Sequence, residues 1–135
     1  MNFLNVFNSI IENGGATYNI NTSELNPGSG YMVAQKGFEK IFDFYRNPNV
    51  FSEQVQSYLT KDIWEQIYNR PDIYLGFWLK DGKIYFDIVN RITDRTTAIL
   101  EGRKNEQLAI YDANEKKEIE IHLGNKVSND SDLNF

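Results

Sequence analysis

The 135-residue chain has no cysteine and a single histidine, His122. There is therefore no thiol nucleophile, no thiolate metal site and no histidine cluster for zinc. A Ser-His-Asp relay would have to run through His122 alone. No disulfide can form, so nothing points to secretion. No apolar run approaches the roughly 20 residues that cross a bilayer. The first residues, MNFLNVFNSIIENGG, lack the basic region and small-residue cleavage site of a signal peptide. The address expected is cytoplasmic, with no membrane contact.

Basic residues are also scarce. Lysine and arginine total 14 against 19 acids, a formal charge of −5. The nearest approach to a basic stripe is Arg91, Arg95, Arg103 and Lys104, diluted by Asp94 and Glu101. Phosphate contacts carry nucleic-acid affinity, so direct nucleic-acid binding is not expected. The acids are spread evenly, which also argues against mimicry of nucleic acid by a dense acidic face. What the chain does have is aromatic bulk: nine Phe, eight Tyr and two Trp. These rings supply enough apolar area for one real core. No internal repeat or domain boundary is visible, and residues 1–123 read as one domain followed by a polar, disordered tail over 124–135.

Periodicity places the elements. Phe3, Leu4, Phe7, Ile10 and Ile11 form one helical stripe, closed by Gly14-Gly15. Ala16–Asn21 and Tyr31–Gln35 read as strands of a β-hairpin whose long tip is TSELNPGSG. The glycines of that tip lack the frame of a phosphate-binding loop. Phe38, Ile41, Phe42 and Tyr45 predict a helix over Lys36–Arg46, stopped by Asn47-Pro48-Asn49. Ser52 is placed to cap a second helical stretch to about Asn69, with Thr60 as a possible break. Ile73–Lys80 and Lys83–Val89 flank Asp81-Gly82, a type I′ hairpin signature, and are apolar on both faces. Thr93 or Asp94 caps a helix to about Lys104, with Ala98, Ile99 and Gly102 as its packing face. Gln107–Tyr111 and Glu118–Leu123 are the last strands. The expected fold is α+β: a mainly antiparallel sheet of five to six strands with packed helices and one βαβ crossover, with parallel pairing, near the C-terminal end.

Few residues are placed for chemistry. Asp87 interrupts an apolar strand, where burial would raise its pKa unless it meets an arginine or caps a backbone group. Asp112, at the end of Leu108–Tyr111, would join it if the two strands were neighbours. Paired carboxylates at strand ends can hold a divalent metal, as in nucleases, but no lysine or histidine completes such a site. Tyr18, Tyr31, Tyr74, Trp78 and Tyr85 lie on predicted strands without the basic residues that accompany base stacking. No catalytic residue, metal or cofactor is assigned.

Three stretches form a pattern: Asn13-Gly-Gly-Ala-Thr-Tyr-Asn with Asn26-Pro-Gly-Ser-Gly-Tyr-Met-Val-Ala; Tyr74-Leu-Gly-Phe-Trp-Leu-Lys-Asp-Gly-Lys-Ile-Tyr-Phe-Asp; and Asn105-Glu-Gln-Leu-Ala-Ile-Tyr-Asp. Across roughly residues 13–112 this resembles a family of small accessory proteins of phages and integrative elements of Gram-positive bacteria. The family's Thr-Gly-Glu turn reads Thr22-Ser23-Glu24 here. The family has no assigned enzyme activity, so no catalytic residue is carried over. The resemblance implies a non-enzymatic, mobile-element protein that inhibits a host defence complex, an anti-CRISPR-type inhibitor of a Cas effector acting by protein–protein contact. The alternatives are a metal-dependent nuclease or hydrolase using Asp87 and Asp112, and a housekeeping interaction module of the element. The long tip Thr22–Gly30 suits a functional loop. Glu24, Leu25 and Tyr31 are therefore the expected partner-binding residues, Tyr31 as an aromatic anchor.

Overall fold

The computed structural model of the chain describes residues 3–121; His122 and the expected disordered tail lie outside them. Among the described residues there are four helices and seven strands, an α+β protein. The ladders β1–β4, β3–β5, β2–β6 and β6–β7 are all antiparallel. The chain divides into two compact units, the first made of Met1–Pro27 with Gly37–Val89, the second of Gly28–Lys36 with the chain from Asn90 onward.

The first unit opens with α1 (Leu4–Asn13), which ends where expected. Gly14 takes the left-handed conformation (φ 81°) and its N–H returns to the Ile10 carbonyl at 2.9 Å. β1 (Gly15–Tyr18) follows and pairs with β4 (Ile73–Lys80), in register Gly15↔Trp78 to Tyr18↔Leu75. Trp78 lies across Gly15 so closely that a Cβ there would stand 2.5 Å from the indole. The Asp81-Gly82 connection has the positive φ angles of its turn type, 54° and 78°. Beyond it, Ile84, Phe86 and Ile88 of β5 (Lys83–Ile92) are fully buried on one face.

Two expectations fail in this unit. Residues 40–43 are a strand, β3 (Lys40–Asp43), in register with β5 from Lys40↔Phe86 to Asp43↔Lys83. The aromatic run carries both a helical and an alternating pattern. As a strand it sends Phe42 against Phe86 and, just beyond, Phe44 against Phe7, while Ile41, Asp43 and Tyr45 stay exposed. The helix then starts earlier than Ser52. α2 (Pro48–Tyr58) has proline in its first turn and Asn47 as its cap, whose Oδ1 accepts from the N–H groups of Asn49 and Val50 at 2.9 and 3.2 Å. Thr60 does break the stretch, capping the separate α3 (Lys61–Ile67).

The expected hairpin between Ala16–Asn21 and Tyr31–Gln35 is also absent. β1 pairs with β4, and β2 (Tyr31–Ala34) pairs with β6 (Ala109–Asp112) in the second unit. There α4 (Arg95–Lys104) is capped by Asp94, which accepts from the Thr97 N–H and hydroxyl at 2.8 and 2.7 Å. Its Ala98 and Gly102 face meets Ile110 and Ile121, and a Cβ on Gly102 would stand 2.9 Å from Ile110. α4 delivers the chain to β6 as a crossover helix would, but both neighbours of β6, β2 and β7 (Lys117–Glu120), run antiparallel to it.

Phe86 is the hub of the first core. Its ring centroid lies 4.8 Å from those of Phe42 and Phe77, 5.4 Å from Tyr58 and 6.0 Å from Phe51. Truncation at such a site removes both transfer energy and ring contacts. Phe86→Ala is expected to cost about 3–5 kcal/mol in urea unfolding, with Phe86→Leu losing clearly less.

Candidate functional site

The segment expected to be a long hairpin tip is built into the first unit as far as Asn26. Leu25 forms a bridge with Tyr18, and backbone N–H groups of Asn19 and Asn26 donate to the carbonyls of Glu24 and Thr17 at 2.9 and 2.7 Å. Asparagine side chains complete the seam. Asn26 accepts from the Thr17 N–H and donates to Ser9 Oγ, Asn19 donates to the Pro71 carbonyl, and Asn21 donates to that of Ile67. Thus the open edge of β1 is covered by its own following loop. Glu24 Oε1 accepts from the Tyr74 hydroxyl at 2.5 Å, and Leu25 packs on the aromatic core. Tyr31 belongs to the second unit, half-buried beside Val33 and opposite Asp112.

Asp112 is likewise internally occupied. Its Oδ1 accepts from the backbone N–H groups of Asn114 and Glu115 and from the Asn114 amide, at 2.9–3.2 Å. It organises the turn before β7. Among the described residues no group of three or more His, Cys, Asp or Glu side chains is placed to hold a metal ion. The second unit contains a cavity of about 240 Å³ lined by Val33, Gln35, Asn90, Glu101, Lys104 and Asn105. Amides dominate its wall.

Asp87 has neither of the partners considered for it. The residue is 8 % exposed, and among the described residues no arginine, backbone N–H or other donor reaches its carboxylate. Burial, reinforced by the negative charge of Glu39, raises its pKa from 3.8 to about 7. Chain connectivity explains the proximity: β3 begins at Lys40, paired with Phe86, so Glu39 enters the ladder at the end where Asp87 follows Phe86. Tyr58 borders the same place, its hydroxyl donating to the Phe38 carbonyl at 2.6 Å. Burial and then the charge of Asp87 push its phenol pKa up.

These residues belong to a larger surface. Residues directly opposite on an antiparallel pair share a face. Ile41 with Tyr85 and Asp43 with Lys83 therefore lie together on the side of the β3–β5 ladder away from Phe86. Lys83 donates to Asp43 and also feels Tyr45 and Tyr85. Ile41 is 48 % exposed and Tyr45 54 % exposed. The result is an apolar centre, one end closed by an ion pair and the other ending in two carboxylates. The sequence pattern concealed this face because 36–46 also matched a helix. Only the alternating exposure of Ile41, Asp43 and Tyr45 could have indicated it. Comparison with protein-family models, curated proteins and solved structures finds no match.

Two outcomes follow from these contacts. Asn26→Ala removes two hydrogen bonds of the β1 seam and is expected to cost about 1–3 kcal/mol by urea unfolding. For Asp87, below pH 3.8 both folded and unfolded chains hold the proton, and no penalty exists. Between 3.8 and about 7 only the folded state keeps it, so stability falls as pH rises, and above about 7 the loss is complete. Asp87→Asn should therefore be stabilising at pH 8, by at most about 4 kcal/mol, with a smaller gain at pH 5. A gain that is equal at both pH values would show that Asp87 is not the titrating group.

Proposed function

We propose that the chain is a non-enzymatic binding protein encoded by a mobile element, which inhibits a host defence complex by protein–protein contact as an anti-CRISPR-type inhibitor of a Cas effector. The setting comes from the resemblance carried by the Asn13, Tyr74 and Asn105 stretches. The observation that carries the binding role is the outer β3–β5 face. Exposed Ile41 sits opposite Tyr85 on the β3–β5 ladder, and exposed Tyr45 follows just beyond the Asp43–Lys83 pair, so apolar and aromatic side chains alternate with charge along this face. Interfaces concentrate their energy in such anchored clusters with polar rims. Glu24 and Leu25 serve the reading less well, since their side chains are engaged within the first unit.

A plasmid-interference assay tests the reading. Cells carrying a Cas effector and a guide against an incoming plasmid should regain transformation when the chain is expressed. Across a panel of effectors from Gram-positive bacteria, at least one should be inhibited. Ile41→Glu combined with Tyr45→Ala should abolish the protection while leaving the melting temperature nearly unchanged. Unimpaired protection by that double variant would remove the β3–β5 face from the reading. Failure of the folded wild-type chain against every effector would remove the Cas target.

A further inference from the structure

The outer face of the β3–β5 ladder is electrostatically lopsided. At one end Lys83 neutralises Asp43. At the other, Glu39 and Asp87 confront each other, and among the described residues neither carboxylate meets a cation or a hydrogen-bond donor. Two such groups close together, one of them 8 % exposed, are costly when both are charged. A positive charge placed at the mouth of the pair would relieve that cost, and the low local polarity would make its effect on Asp87 large. Glu39 is exposed.

Resting on the reading of the chain as a protein-binding inhibitor, we propose that this face docks a basic, extended segment of the partner protein. An arginine or lysine of that segment seats against Glu39 and Asp87, and an apolar residue two positions away lies over Ile41 and Tyr85. The spacing supports the pattern. Glu39, the residue just before β3, and Ile41 within it are two positions apart, about 7 Å in an extended chain. An extended segment presents its own alternate side chains at the same interval, so an apolar–x–basic sequence matches both subsites. Charge complementarity selects the basic end, and the apolar centre fixes the register. The titratable group acting on Asp87 here is Glu39 from the approach to β3, while Tyr58 from α2 feels the charge of Asp87 in turn. A cation at Glu39 favours the ionised form of Asp87, so docking releases a proton and tightens as pH rises through neutrality.

The full chain can be tested without the natural partner. The probes are acetyl-Val-Thr-Arg-Thr-amide and its citrulline counterpart, which keeps shape and loses charge. Carboxyl-carbon NMR of the labelled chain follows Glu39 and Asp87 directly. The arginine peptide should shift both resonances and lower the Asp87 midpoint by about half a pH unit or more at saturation. Exposed Glu39→Gln should remove the response with the remaining spectrum unchanged, and Ile41→Ser should weaken it. Equal shifts with the citrulline peptide, or no shift at Asp87, would overturn the proposal. So would a response of the same two carboxyls to Mg²⁺ or Ca²⁺ with none to the arginine peptide, which would make the pair a metal site. A chain that responds to the peptide and yet protects no plasmid would keep this docking face and lose only the Cas effector as its target.

Discussion

The packing of Phe86 is the contact on which the first unit depends. Phe86 sits on β5, which joins β3 to the rest of the unit, and its ring collects Phe42 from β3, Phe51 and Tyr58 from α2, and Phe77 from β4. Several of these contacts are edge-to-face, the arrangement the ring quadrupole prefers. Phe51 extends the network to Phe7 of α1, and Phe7 extends it to Phe44. Helices of low intrinsic stability are thereby fixed by tertiary contact rather than by propensity. α2 in particular has low overall hydrophobicity and buries only Phe51, Val55 and Tyr58.

Strand alternation ties that core to the exposed surface. With Phe86 fixed inward, its neighbours Tyr85 and Asp87 must face the other way. Any slip that relieved Asp87 would carry Ile84, Phe86 and Ile88 out of the core, so the core holds Asp87 beside Glu39 against its electrostatic cost. A buried acid with no partner is hard to explain by stability alone, because an apolar or amide residue would serve the fold better. Such conflicts between local chemistry and global fold concentrate at functional positions.

Legibility followed the length and uniqueness of each pattern. α1 with Gly14 and the Asp81-Gly82 hairpin were readable because each has a single interpretation in local backbone chemistry, whereas the start of α4 was narrowed only to Thr93 or Asp94, of which Asp94 is the cap. Residues 40–43 were not, since Phe38, Ile41, Phe42 and Tyr45 satisfy a helical spacing. The choice was made by pairing with β5, whose partner residues lie forty or more positions along the chain. The β1–β2 connection misled for a related reason. Asn26-Pro27-Gly28 was correctly irregular, but turn chemistry cannot say which strand comes next in a ladder, and β1 found β4 instead. Of the candidate residues, Asp87 was legible as an interruption in an apolar strand, whereas its pairing with Glu39 required the register.

The two treatments of strand edges in the first unit explain why the β3 side, and not the β1 side, is available. Exposed backbone at an edge invites association and is normally covered or charged. β1 is covered: Leu25 and Asn26 fold back onto it, and Asn26 satisfies both Thr17 and Ser9. β3 pairs with β5 alone and carries Ile41 exposed between charged Lys40 and Asp43. Charged residues on an edge strand such as Lys40 and Asp43 discourage edge-to-edge pairing. At the Glu39–Asp87 end the two carboxylates carry no counter-charge among the described residues. The β3 side thus combines exposed Ile41 and Tyr45 with charged neighbours, and the unneutralised acids Glu39 and Asp87 make it the electrostatically distinct side of the first unit.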